Sequence, residues 1–349
     1  MALPAHERLL LRGEPHDAST LPSLTGWLPV AIDDRQGEDC EGGHPLEPRL
    51  WWRWLGQHRL SGAFFQDDLA SQAPGERRVC HTPLSALGNG AVPSDAVFPT
   101  AFVFHVSRCG STLLTQMLNA LEGAIVLSEP PVLDGFFRLH HRHPQRSGGV
   151  EGFRQLVAAL GQRRRGDERH LFIKLDCWHL PWAAWLRQAY PTVPLLLLYR
   201  EPDGVLASHQ RQRGLHMVPG MVDTSKLVVD SHDLSPGDFD GYAARALDAL
   251  FDSAWQAVKD VPGLRCWHLN QLPHAVLDDM LPWTGVRVTP EEAAAMQHRA
   301  KFHSKNARTP FEGDATLPTH VIKPKKMDSD GIAVHFYQQL ENSRKPAGL

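Results

Sequence analysis

The feature that most constrains this chain is a run of leucines, Leu195, Leu196, Leu197 and Leu198, set between Pro194 and Tyr199. Nothing polar interrupts it, so a strand formed there has to be covered on both faces. It is also far too short to cross a bilayer. Strands covered on both faces belong to parallel sheets whose crossovers are helices, and the rest of the sequence is to be read with that in mind.

The pattern extends in both directions. Ala101 opens an apolar run, AFVFHV, followed by small residues from Ser107 to Ser111 and then by Leu113, Leu114, Met117, Leu118 and Leu121 at helical spacing. Further strands are predicted over 124–127, 171–175, 193–199 and 264–269, with helices over 150–163, 181–189, 202–212 and 242–259. Alternation of this kind predicts an α/β fold, a parallel sheet flanked by helices on both faces. Up to about residue 98 the character differs. Turn formers crowd 38–48 and 71–99, and the aromatic residues gather as Trp51, Trp52, Trp54, Phe64 and Phe65. We read 1–97 as an irregular and helical extension packing on a main domain at 98–310, with 311–349 as a C-terminal tail.

With 42% hydrophobic residues and ten tryptophans, the 349-residue chain has material for a large core, which excludes global disorder. Its 36 Lys and Arg against 39 Asp and Glu leave a formal charge of −3, so its surface is not a general attractant for polyanions and no nucleic-acid partner is expected. Cys40, Cys80, Cys109, Cys177 and Cys266 are odd in number, and no pair has metal-motif or redox-motif spacing. The first residues lack the apolar core of a signal peptide. These features predict a soluble cytoplasmic protein without a membrane anchor. Oligomeric state is not legible.

In open α/β sheets ligands bind where strands end and helices begin, because backbone amides and the helix dipole converge there. The segment HVSRCGSTLL, from His105, puts a glycine and two hydroxyls at such a junction. Gly110 allows close backbone approach to an anion, Ser111 and Thr112 offer hydroxyl donors, and Arg108 adds charge. The Gly-Lys-Ser/Thr of a nucleoside-triphosphate loop, whose hydroxyl also holds Mg²⁺, is absent. A second junction is YREPDGVLAS, from Tyr199: Arg200 leaves the leucine strand, Pro202 starts a helix, and Ser208 lies two turns along. Taken alone, Arg200 reads equally as a surface ion pair.

These two motifs, in this order and about ninety residues apart, resemble the 5′-phosphosulfate loop and the 3′-phosphate motif of sulfotransferases that use 3′-phosphoadenosine 5′-phosphosulfate. The stretches SEPP at Ser128 and FIKLDCW at Phe172 extend the likeness to bacterial members, over roughly residues 98–310. The resemblance implies a P-loop-like domain. It also implies a nucleotide held by Arg108, Cys109, Gly110, Ser111, Thr112, Arg200 and Ser208, and sulfuryl transfer to a hydroxyl or amine without metal. Glu129 is similar in position to the glutamate base of bacterial relatives. Arg108 is the candidate for stabilising the leaving oxygen, and Lys174 could reach the sulfonate or the acceptor pocket. Late in the chain Lys305 and Arg308 stand where a basic loop closes over the 3′-phosphate, although the family's glycine-bearing signature is missing.

Blander readings stand beside these. Glu129 could be a cap or an ion-pair partner, and Lys305 and Arg308 solvated charge. His105, His179 and His209 are rival bases, with His105 reading better as a core histidine. Trp178, Trp182 and Trp185 read as a helix's core stripe sooner than as an acceptor wall. His140, His141 and His143 read as a surface cluster in a loop. Cys109, at a helix start beside Arg108, should have a lowered thiol pKa. A small-molecule kinase of the P-loop type and a nucleotide-binding protein without turnover are the alternative functions. The acceptor is not legible.

Overall fold

The computed structural model describes residues 5–34, 47–89, 94–303, 306–310 and 331–344. Its strands are β1 (Glu14–Pro15), β2 (Trp27–Asp33), β3 (Arg49–Trp54), β4 (Arg78–Pro83), β5 (Pro99–His105), β6 (Ala124–Ser128), β7 (His170–Lys174), β8 (Leu195–Tyr199), β9 (Leu264–His268), β10 (Phe302–His303) and β11 (Asn306–Pro310). Its α-helices are α1 (Ala5–Arg8), α2 (Phe65–Ser71), α3 (Ser111–Leu118), α4 (Pro131–Arg142), α5 (Gly149–Leu160), α6 (Ala183–Ala189), α7 (Pro202–Arg211), α8 (Phe239–Asp260), α9 (Leu281–Trp283), α10 (Pro290–Ala300) and α11 (Ile332–Arg344). The main sheet has five strands in the order β6-β7-β5-β8-β9 and is flanked by helices, the expected α/β architecture. The leucines of β8 are all buried, as their uninterrupted run requires. No described helix is long and apolar enough to cross a membrane.

By internal packing the chain divides into two compact units, Met1–Thr100 with Leu121–Ile173, and Ala101–Ala120 with Lys174–Leu349. The first carries a four-stranded sheet in the order β1-β4-β3-β2. Helical pieces are present there, as read, but the irregular reading needs correction because the turn formers hid these strands. What drives them together is aromatic cross-strand packing. Trp27 and Trp54 are paired across β2 and β3 with ring centroids 5.6 Å apart, and buried Trp52 donates from Nε1 to Thr82 Oγ1 of β4 at 3.0 Å. Helix α4 was missed altogether. The sequence reading ends the strand at Ser128-Glu129-Pro130 and gives no role to Pro131, which as a proline in the first turn is a helix start. His140 and His141 therefore sit in the last turn of α4 and not in a loop.

In the second unit β5, β8 and β9 pair in parallel, with His105 opposite Leu198 and Tyr199 opposite His268. Helix α8 starts at Asp238, whose carboxylate accepts from the Gly241 amide at 2.8 Å, and buries Ala243, Ala246, Leu247, Leu250, Phe251, Ala254 and Ala257 at three- and four-residue spacing. Helix α11 packs on α8 within the stretch read as a tail, and its Ala333 amide donates to Asp248 Oδ1 at 2.9 Å. The chain leaves β5 toward one edge of the main sheet and leaves β8 toward the other, so the switch point of the strand order, where ligands bind in such sheets, lies between the ends of these two neighbours.

Candidate functional site

The second unit holds both motifs at that switch point. After β5 the Val106 amide donates to Leu198 O at 3.1 Å, and the chain then turns through Ser107, Arg108 and Gly110, at φ of 72°, 49° and 83°. Two consecutive non-glycine residues in the left-handed region cost about 1–3 kcal/mol each, an expense usually met where a backbone must be aimed at something. Glycine is required at 110 on two counts, its positive φ and the fact that a Cβ there would lie 2.7 Å from Leu269 Cδ1. Helix α3 then opens with Ser111 and Thr112 and with no acidic residue in its first turn, so its dipole meets no competing carboxylate of its own.

Lys174 reaches this helix start from the end of β7. The neighbouring Leu175 amide donates to Val103 O of β5 at 3.0 Å, and Lys174 Nζ lies 3.4 Å from Thr112 Oγ1. Only 1% of this lysine is exposed. A buried ammonium against the first turn of a helix makes a strongly anion-attracting corner, and a lysine therefore stands there although the loop itself carries none.

Across the switch point Arg200 follows β8. Its Nε donates to Glu201 Oε1 at 3.0 Å, and its guanidinium lies over Gly204, where a Cβ would come within 2.9 Å of Arg200 Cζ. Ser208 is one turn beyond Gly204 on the same face of α7, and the Arg200 side chain, which precedes the helix, reaches over Gly204. Gly204 is a motif residue that we did not single out, although its four-residue spacing from both partners was visible. Glu201 in turn faces His268, with Oε2 and Nε2 3.4 Å apart. The His268 Nδ1 accepts from the Asn270 amide at 3.1 Å, so the proton is on Nε2 and points to Glu201.

The first motif is also bonded to the helix that carries the second. Arg108 Nη2 donates to the carbonyl of Gln212 at the end of α7, and Ser107 Oγ lies 3.0 Å from His209 Nε2 on the same helix. His209 was weighed as a base; its bonding gives it a different office. His105 behaves as a core histidine, buried and accepting at Nδ1 from the Ser107 amide at 3.1 Å. The expectation for Cys109 is overturned. Its Sγ is buried against Leu198 O at 3.2 Å, and burial pushes the thiol up to about 12, outweighing the Val106 and Ser111 amides and the Lys174 charge that pull it down. Proximity to a helix start lowers a thiol pKa only where the thiolate stays solvated.

The chain is similar to solved sulfotransferases. One is sulfotransferase STF9 from Mycobacterium avium, at 13% identity over 58% of this chain and 68% of that one, with a TM-score of 0.42. Another is the sulfotransferase domain of the Synechococcus PCC 7002 olefin synthase, at 16% identity over 73% and 98%, with a TM-score of 0.41. A third is a sulfotransferase from Alicyclobacillus acidocaldarius, at 16% identity over 72% and 98%, with a TM-score of 0.39. No family model and no curated protein matches the chain.

Glu129 belongs to the first unit, where it follows β6 half-buried and at φ 56°, itself a strained non-glycine position. Lys305 is outside the described residues, and of Arg308 only the backbone, in β11, is described. Of the tryptophans, Trp182 is buried under the ammonium of Lys226, which stands 4.9 Å from its ring centre, while Trp178 and Trp185 are half-buried. Absent from our sequence reading was the contact beneath Arg200, where the buried Tyr199 hydroxyl donates to Glu341 of α11. No local pattern announces a partner so far along the chain.

Proposed function

We propose that the chain is a sulfotransferase that moves a sulfuryl group from 3′-phosphoadenosine 5′-phosphosulfate to a hydroxyl or amine of an acceptor. The observation that carries this reading is the direct bonding between the first anion motif and the helix that carries the second, Ser107 to His209 and Arg108 to Gln212, with the motifs at the ends of adjacent strands. A nucleotide with separated phosphates needs two cationic corners at fixed spacing, and one helix bonded to the other's loop supplies that. The residues suit such a ligand: Gly110, Ser111, Thr112 and Lys174 for one anion, Arg200 and Ser208 for the other. When bound, the donor supplies a sulfuryl group attached to a phosphate leaving group.

In this reading Arg108 and Lys174 steady negative charge that develops on the departing oxygen, and Arg108 stays cationic at any working pH, so it donates hydrogen bonds without giving up a proton. Glu129 takes the proton from the attacking acceptor. No metal is needed, because these cations do the electrostatic work. We place the protein in the cytoplasm and infer no nucleic-acid or membrane partner.

The test is calorimetric titration with adenosine 3′,5′-bisphosphate and, separately, with ATP and Mg²⁺. Binding of the bisphosphate, lost in Arg200→Ala, is the expected result. Binding of ATP and Mg²⁺ alone would point to the kinase alternative. An acceptor screen with labelled donor then separates an enzyme from a binding protein, and Glu129→Gln should abolish transfer while leaving bisphosphate affinity intact.

A further inference from the structure

Ser107 is held at two points, its amide and its hydroxyl. Its amide donates to His105 Nδ1 at 3.1 Å, so that N–H is turned into the protein and is not offered to a ligand. Its hydroxyl meets His209 Nε2 at 3.0 Å, while the Gly214 amide donates to His209 Nδ1 at 3.2 Å. A nitrogen that accepts from an amide carries no proton, so the neutral ring keeps its proton on Nε2. His209 is therefore the donor in its bond to Ser107, and it cannot serve as a base toward that hydroxyl. Protonating the ring would also cost the bond from Gly214.

With one lone pair taken by His209, the Ser107 hydroxyl still has its own proton to give, and no described residue accepts it. The residue is buried, at φ 72°, in the loop that runs into the first turn of α3. Such strain is sustained only where surrounding bonds over-determine the position, which is what the two histidines do. Gly214 suits the arrangement: a Cβ there would lie 3.2 Å from His209 Cε1 and 2.9 Å from His216 Cε1, so a side chain would crowd both rings.

We propose that Ser107 is an anion-binding hydroxyl of this loop, directed at the 5′-phosphate side of the nucleotide, and that His209 is the positioning residue that aims it. The inference rests on the proposed sulfotransferase reading and adds a donor to the Ser111 and Thr112 pair. His209, weighed earlier as a base, becomes instead a fixed donor, in contact with the loop and not with the reacting atoms.

The experiment compares adenosine 3′,5′-bisphosphate with adenosine 3′-monophosphate, which lacks the 5′-phosphate, by calorimetric titration. Ser107→Ala should weaken the bisphosphate roughly tenfold, the size of one hydrogen bond to a charged group, and leave the monophosphate unchanged. Ser107→Gly, which relieves the positive φ but also lacks the hydroxyl, should lose as much, separating the hydroxyl from the backbone. His209→Phe should reproduce the loss, and His209→Gln, whose amide can donate to Ser107, should restore most of the affinity. Equal loss of both nucleotides, or wild-type bisphosphate affinity in either serine variant, overturns the assignment of Ser107. Wild-type affinity in His209→Phe, or no rescue by glutamine, overturns the role of His209. If the wild-type chain binds neither nucleotide, the sulfotransferase reading itself fails, an outcome distinct from the others.

Discussion

Replacing Gly204 by alanine should improve the helix and damage the site. The new Cβ would stand 2.9 Å from Arg200 Cζ and 2.5 Å from Glu201 Oε1. Non-bonded carbon atoms settle at about 3.5–4.0 Å, so the guanidinium has to retreat by roughly 1 Å, which a long side chain does without disturbing the fold. The backbone at 204 is helical, and alanine is favoured there over glycine by about 0.5–1 kcal/mol. A displaced guanidinium gives up much of a charge-assisted bond to a phosphate, a bond contributing about 1.5–3 kcal/mol; the lower figure is a tenfold loss of affinity. The assay is titration with adenosine 3′,5′-bisphosphate alongside a thermal melt of each variant. Gly204→Ala should bind about tenfold more weakly with its Tm unchanged or raised, and Arg200→Ala more weakly still. Undiminished affinity in Gly204→Ala would refute the placement of Arg200 as a ligand, and a parallel fall in Tm would show that the fold, and not the guanidinium, had been disturbed.

Glu7 supplies a pH test. Burial raises its carboxyl from 4.5 to about 7, against the pull of Arg138 and with the nearby carboxylates of Asp134 and Asp33 adding to the rise. The folded chain thus holds this proton more tightly than the unfolded one, a stabilisation complete below pH 4.5 and lost as the pH rises through about 7. Urea melts should show stability falling from pH 5 to pH 8 by up to about 3 kcal/mol from this group, and Glu7→Gln should remove that part of the slope; an unchanged slope refutes it. Cys109, fully buried and with its thiol pushed up to about 12, should resist iodoacetamide at pH 8 in the folded protein and react in urea, as peptide mass mapping would show. Glu341→Ala leaves the buried Tyr199 hydroxyl without its acceptor and should cost about 1–3 kcal/mol in urea unfolding. Tyr199→Phe should cost less, and adding it to Glu341→Ala should recover stability.

What could be read from the sequence was local. The leucines at 195–198 announced β8 because a strand covered on both faces leaves no polar residue to interrupt the run, and Gly110 and Pro202 announced the helix starts beside the two anion motifs. The four-stranded sheet escaped notice because its strands are joined by turn-rich segments and held by pairs such as Trp27 with Trp54, whose partnership depends on register. Cys109 was misjudged because a neighbouring charge is visible in sequence and burial is not. His209 was named, but its role turns on the tautomer, which the Gly214 amide fixes only after the chain has folded.

The bond from Tyr199 to Glu341 reaches beyond stability. Tyr199 directly precedes Arg200, so a strand residue buried under the last described helix and the candidate phosphate ligand are neighbours on one peptide. Evolution cannot then vary the two positions independently: among relatives, tyrosine at 199 should be kept only where position 341 retains an acceptor, and phenylalanine should appear where it does not. Such paired substitution would be a record, written in many sequences, of a contact that a single one conceals.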